Sequence, residues 1–132
     1  MSLKTVSLAA LTLGAFAAPA LAHHSFAMFD ADKTVTMTGT VKEFEWTNPH
    51  SWLRITVEDQ GKALQWALEM GSPAQQARVG WKPDSVKAGD KVTVTIHPLK
   101  DGSRGGQFMS AVLPGGQKLG NGGQRNNPLG AD

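Results

Sequence analysis

Hydrophobic and polar residues alternate along four stretches of the chain, the pattern of a strand with one buried face. A fifth, shorter stretch is compatible with the same structure. The five predicted strands cover residues 34–46, 50–58, 63–70, 91–97 and 107–113. The pattern therefore predicts a small protein built mostly of β-strands.

The first predicted strand changes phase part-way along its length. Its apolar positions carry odd numbers up to Val41 and even numbers from Phe44 onward. Such a change needs one extra residue, so we expect a bulge near Lys42 and Glu43, or a bend at Gly39. A long strand that bends can serve both halves of a small barrel.

A short helix is predicted between the third and fourth strands. Ser72 suits the N-cap, Pro73 the first helical position, and Gln75 completes a capping box. Gly80 ends the helix. The element order β-β-β-α-β-β predicts an all-β fold with one short helix, a small five-stranded OB-like barrel. An SH3-like barrel or a small β-sandwich is the main alternative.

Both ends of the chain differ in composition from the predicted barrel domain, residues 23–113. In residues 1–22, Lys4 precedes an uncharged apolar run and a small-x-small cleavage site, which indicates a secretory signal peptide. The apolar run is too short to span a bilayer, so we expect a periplasmic or secreted protein that is not membrane-spanning after cleavage. Residues 114–132 are rich in Gly, Asn and Gln and are predicted to form a flexible tail.

Length and charge exclude several classes of function. A chain of 132 residues suffices for one domain and excludes an enzyme with separate cofactor and substrate lobes. The chain has no Cys, which excludes a disulfide framework. The formal charge is +2 and falls by one when Lys4 leaves with the signal, so no nucleic-acid partner is expected. Common catalytic and phosphate-binding motifs are missing from the sequence, which favours a non-enzymatic role.

Two longer motifs and two glycine dipeptides resemble a known family. They are HHSFAMFD at 23–30, WTNPHSW at 46–52, GW at 80–81 and GD at 89–90. Together they resemble an uncharacterised family of small exported bacterial proteins, a domain of unknown function. The resemblance covers roughly residues 23–113. It implies a grouping and brings no activity with it.

Histidines are the strongest candidate metal ligands. His23 would be the mature N-terminus, where the α-amino nitrogen and the ring Nδ1 can chelate one metal ion. Nitrogen-rich sites suit Cu(II), so copper is expected ahead of zinc. A further imidazole could come from His50 or, less readily, from the adjacent His24. The alternative is a frayed terminus whose histidines bind nothing.

The second and third strands are predicted to share a polar outer face. If their inward residues pair, Trp52 lies opposite Glu69, and His50 lies diagonal to Glu69. Arg54 and Gln65 join this face, which OB barrels commonly use for ligands. The alternative is that His50 only caps the turn before it and that the N-terminal segment covers Trp52.

The sequence therefore gives two hypotheses for an exported binding protein. In the first, a metal ion binds through the terminal histidines and His50. In the second, the face around Trp52 holds a small organic ligand, a glycan or an exported protein partner. Arg104 in the glycine-rich stretch 102–106 could also touch an anion, although a glycine-rich hairpin turn explains that stretch without a ligand.

Overall fold

Strands make up most of the computed structural model, which describes residues 27–123. All five predicted strands are present, each with boundaries within two residues of the expected ones. In chain order the elements are β1 (Val35–Glu45), β2 (Trp52–Asp59), β3 (Lys62–Glu69), α1 (Pro73–Arg78), β4 (Lys91–Pro98), β5 (Gly105–Val112) and β6 (Lys118–Gly120).

The sheet closes on itself to form a barrel. Its strand order is β3-β2-β1-β4-β5-β6, and β3 also pairs with β5 in parallel, residues 67–69 against 105–107. This additional pairing joins five strands into a ring, while β6 extends the sheet from β5. The structure thus confirms the predicted all-β fold, a closed five-stranded OB-like barrel with one short helix.

Strand register determines which side chains point into the barrel. The β1–β2 register shifts just before Glu43, which confirms the predicted bulge. In the β2–β3 hairpin Leu53 pairs with Leu68, and Trp52 pairs with Glu69, as the alternation predicts. Leu53 and Leu68 are fully buried, whereas Trp52 and Glu69 lie on the outer face and are partly exposed.

Trp81 packs into one end of the barrel. It is 1% exposed, and its ring centre lies 5.5 Å from that of Phe44 and 5.6 Å from that of Phe108. Its indole N–H donates a hydrogen bond of 2.8 Å to the carbonyl of Gly120, so its polar atom is satisfied. The helix before it carries the predicted capping box.

The chain after Leu113 corrects the prediction of a flexible tail as far as residue 123. The short strand β6 pairs with β5, Leu119 is buried, and Asn121 is 3% exposed. Because β6 has only three residues, it is too short to show an alternation that sequence reasoning could detect. Residues 124–132 and the predicted signal peptide, residues 1–22, lie outside the described residues.

Within residues 27–123, no helix is long and apolar enough to cross a bilayer.

Candidate functional site

Two adjoining cavities open on the outer face of β2 and β3. Their volumes are about 540 Å³ and about 100 Å³. Phe29 and Glu69 line both, so the cavities meet at these two side chains. The larger cavity is also bounded by residues 27–28, Trp52, Ala67 and residues 99–101 and 104–106, and the smaller by His50, Met70, Gly71, Gln75, Gln107, Asn121 and Gly123.

The segment before β1 forms one side of the larger cavity. Phe29 makes an isolated antiparallel bridge with Leu99 and is 5% exposed. The backbone N–H of Asp30 donates to the carbonyl of Pro98 at 2.8 Å, and that of Lys100 donates to the carbonyl of Met28 at 2.9 Å. These contacts hold the segment against the β4–β5 loop, beside the outer face of the barrel.

His50 is held in one orientation at the edge of the smaller cavity. Its ring Nδ1 lies 3.0 Å from the carbonyl oxygen of Met70 and 3.4 Å from Oε1 of Glu69. Both neighbours are acceptors when the carboxylate is ionised, so Nδ1 carries the hydrogen and, in the neutral ring, Nε2 keeps its lone pair. No hydrogen bond occupies Nε2 among residues 27–123, and the His50 side chain is 38% exposed.

The loop before β2 places His50 at this position. The Thr47 hydroxyl donates to the His50 carbonyl at 2.9 Å. The Ser51 N–H donates to the carbonyl of Gly71, and the Met70 N–H donates to the carbonyl of Ser51. These bonds tie the residue after His50 to the end of β3, and thereby bring the imidazole beside Glu69.

Trp52 lines the larger cavity, and the guanidinium of Arg54 lies over its ring without lining the cavity itself. The guanidinium carbon of Arg54 lies 5.7 Å from the centre of the Trp52 ring, a cation–π distance. Arg54 also forms a salt bridge with Glu45, and Glu43 lies 3.9 Å from the same nitrogen. The charge of Arg54 is therefore already paired, and its side chain lines neither cavity.

Gln65 does not join the other predicted site residues. Its amide oxygen accepts a hydrogen bond of 2.9 Å from the ammonium of Lys42, and the side chain lines neither cavity. Gln65 and Glu69 share a face of β3 but are four residues apart, about 13 Å at the usual rise of a strand. Gln65 was assigned to the site only because it lies on the same face of β3 as Glu69. Its distance from Glu69 along the strand places it outside the site.

The β4–β5 loop brings three polar side chains to the lining of the larger cavity: Lys100, Asp101 and Arg104. The Asp101 carboxylate accepts hydrogen bonds from the Ser103 hydroxyl at 2.6 Å and from its backbone N–H at 2.9 Å. These two bonds hold the pKa of Asp101 below its ordinary value of 3.8. Among residues 27–123, no ion pair involves Lys100 or Arg104.

His23 and His24, the other predicted metal ligands, lie outside the described residues. In the part of the chain that the structure describes, no group of three or more His, Cys, Asp or Glu side chains is close enough to hold a metal ion. His50 and Glu69 are therefore a pair without a third His, Cys, Asp or Glu beside them among residues 27–123.

The sequence matches the family described as "Family of unknown function (DUF6152)" over residues 10–108. The chain belongs to this family. No curated protein matches the chain significantly. Among solved structures, the mitochondrial single-stranded DNA-binding protein Rim1 of S. cerevisiae is similar, with 15% sequence identity and a TM-score of 0.46. That alignment covers 61% of this chain and 93% of the other.

The DUF6152 match includes most of the residues that surround the cavities. It takes in His50, Trp52, Glu69 and Arg104, and it ends before β6. Sequence analysis missed Phe29 because the segment before β1 has no periodicity. It also missed Gln107, which reaches Glu69 only through the parallel β3–β5 pairing. No local signal reports such a non-local pairing.

Proposed function

We propose that this DUF6152 protein is an exported, non-enzymatic binding protein for a metal ion, copper ahead of zinc. The ion would bind on the outer face of β2 and β3. Its ligands are Nε2 of His50 and the mature N-terminus, with His23 supplying its α-amino nitrogen and ring. The adjacent His24 is the less suitable alternative to His50 as the source of the further imidazole.

The fixed orientation of the His50 ring carries this proposal. In metal sites, a ligating histidine generally donates its other ring N–H to a carboxylate or a backbone carbonyl, which fixes the tautomer and raises the basicity of the ligating nitrogen. His50 has both partners at Nδ1, the Glu69 carboxylate and the Met70 carbonyl. The nitrogen that remains, Nε2, is the one a metal would take.

The position of Ala27 supports the contribution of the terminus. Ala27 lines the larger cavity, whose wall includes Glu69. His23 lies four positions before Ala27, and an extended chain covers at most about 3.6 Å per residue, or roughly 14 Å over these four steps. Because Ala27 and Glu69 line the same cavity and Glu69 contacts His50, the proposal requires the terminal residues to reach His50 within that length.

The nitrogen-rich ligand set favours copper. An α-amino group and two imidazoles supply three nitrogens, which suit the tetragonal geometry of Cu(II). Zinc also accepts imidazole but prefers a tetrahedral set of four ligands. The ligands must lose their protons to bind, so binding should weaken as the pH falls.

The test begins with the intact mass of the exported protein, which should correspond to a chain that starts at His23. Cu(II) titration of this material is then compared with the His50→Ala and His97→Ala variants. His97 is the matched control, because its Nδ1 is bonded to the Lys33 carbonyl at 2.7 Å and its side chain lines neither cavity.

We expect His50→Ala to lower the Cu(II) affinity at least about tenfold and His97→Ala to leave it unchanged. A mature terminus at another residue would remove the chelating nitrogens. Equal Cu(II) binding by wild type and His50→Ala would contradict the proposed site.

A further inference from the structure

We propose that the larger cavity is a second binding site, for a small organic anion with a flat apolar body, such as an aryl carboxylate. This site goes beyond the proposed metal site, since it uses different side chains. It consists of an apolar floor with Trp52 and Phe29, and of two cationic side chains, Lys100 and Arg104, in the β4–β5 loop.

The volume and the lining of the larger cavity suit a ligand with an aromatic ring. Small-molecule sites typically measure roughly 300–1,000 Å³ and are mostly apolar with a few polar groups, and this cavity has a volume of about 540 Å³. Met28 on its border is 49% exposed, one of two large hydrophobic side chains in residues 27–123 that are this exposed. An aromatic ligand would cover Met28 and contact the Trp52 indole.

The charges in the loop favour an anion. Lys100 and Arg104 line the cavity, and neither forms an ion pair with any other residue of the described chain. The carboxylate in their own loop, Asp101, is already bonded to the hydroxyl and the N–H of Ser103. The guanidinium of Arg104 can therefore offer paired N–H donors to a ligand carboxylate.

The lining of the larger cavity contains one carboxylate besides Asp101, that of Glu69. Its position determines which way round an anionic ligand would bind. Glu69 faces His50 at the boundary with the smaller cavity, and its side chain is only 15% exposed. Arg104 lies further along, since its carbonyl accepts the N–H of Ala67, two residues before Glu69 in β3. We therefore place the anionic group of the ligand at the loop and its ring toward Trp52 and Phe29.

The test compares three probes that share one ring system and differ in charge. These are 2-naphthoate, 2-naphthalenemethanol and 2-naphthylmethylammonium, titrated calorimetrically into the full mature chain with EDTA present so that no metal contributes. We expect 2-naphthoate to bind at least about tenfold more tightly than the neutral alcohol, and the ammonium probe to bind most weakly. The indole N–H signal of Trp52 should shift in the NMR spectrum as 2-naphthoate binds.

The Lys100→Gln/Arg104→Gln double variant should lower the affinity for 2-naphthoate to that for the neutral alcohol. Arg78→Gln/Lys118→Gln is the matched control. Both of these cationic side chains are exposed and lie outside the cavity lining, and their replacement removes the same two positive charges. Unchanged binding of the alcohol by the first double variant shows that the cavity itself is intact.

Three results would overturn the proposal. They are equal affinity for all three probes, equal losses in the two double variants, and no binding of 2-naphthoate by the full mature chain. The outcome is separable from that of the metal site, since the loop variant should keep its Cu(II) affinity and His50→Ala should keep its affinity for 2-naphthoate.

Discussion

The imidazole of His50 and the carboxylate of Glu69 face each other at 3.4 Å, one just before β2 and the other at the end of β3. The contact follows from the hairpin register, which pairs Trp52 with Glu69 and leaves His50 on the diagonal. Glu69 lines both cavities and His50 lines the smaller one, so a ligand bound in the smaller cavity can contact both side chains.

Glu69→Gln should lower the Cu(II) affinity by about 10- to 100-fold, because the amide lacks the negative charge that faces Nδ1 of His50 and helps to orient the ring. Isothermal titration with Cu(II) measures this change. Glu58→Gln is the control, since Glu58 is exposed on β2, outside the cavity lining, and carries the same charge. Equal losses in the two variants would mean that only net charge matters.

Asn121→Ala should destabilise the fold by roughly 1–3 kcal/mol, the cost of leaving buried polar groups unsatisfied. The Asn121 amide oxygen accepts from the Gly71 N–H at 3.1 Å and the Gln76 amide at 2.6 Å, and its N–H group donates to the Phe108 carbonyl at 2.8 Å. Urea denaturation measures the change, with the exposed Lys118→Ala as control. Equal free energies of unfolding for Asn121→Ala and Lys118→Ala would show that the hydrogen bonds of Asn121, just after β6, do not stabilise the fold.

The Asp101 carboxyl should titrate below pH 3.8 in the folded protein, because Ser103 stabilises its charged form. A pKa that is lower when folded contributes stability at all pH values above the unfolded pKa. That stability is lost as the pH falls through the folded value. The loop is therefore expected to keep this contact at neutral pH and to lose it as the Asp101 carboxylate becomes protonated.

Carboxyl-carbon NMR over a pH series measures the Asp101 pKa directly. In Ser103→Ala the hydroxyl donor is gone, so the pKa should move up toward 3.8. A wild-type pKa at or above 3.8, or one that Ser103→Ala does not raise, would contradict this account of the loop.

The alternation of residues in β2 and β3 was enough to predict the part of the site that depends on local pairing. It placed Trp52 opposite Glu69 and His50 diagonal to Glu69, and the structure shows both relationships. The phase change in β1 likewise predicted the bulge before Glu43. These features depend on the alternation of apolar residues within a strand and on the register of a hairpin. Both are determined by residues that are close together in the chain.

The cavities could not be predicted in the same way. They depend on the bridge between Phe29 and Leu99 and on the parallel pairing of β3 with β5, which join residues far apart in the chain. The burial of Asn121 depends on partners in α1 and β5. Composition alone made this region look like a polar tail, because a single buried amide gives no periodic signal.

The most direct test of the metal site is the imidazole ¹⁵N NMR spectrum of the mature protein during titration with Zn(II), a diamagnetic substitute for copper. In the metal-free protein we predict that the neutral His50 ring carries its hydrogen on Nδ1. Added Zn(II) should shift Nε2 of His50 strongly and leave His97 unchanged. A His50 ring that stays unperturbed while Zn(II) binds elsewhere, or that binds the ion through Nδ1, would contradict the proposed site.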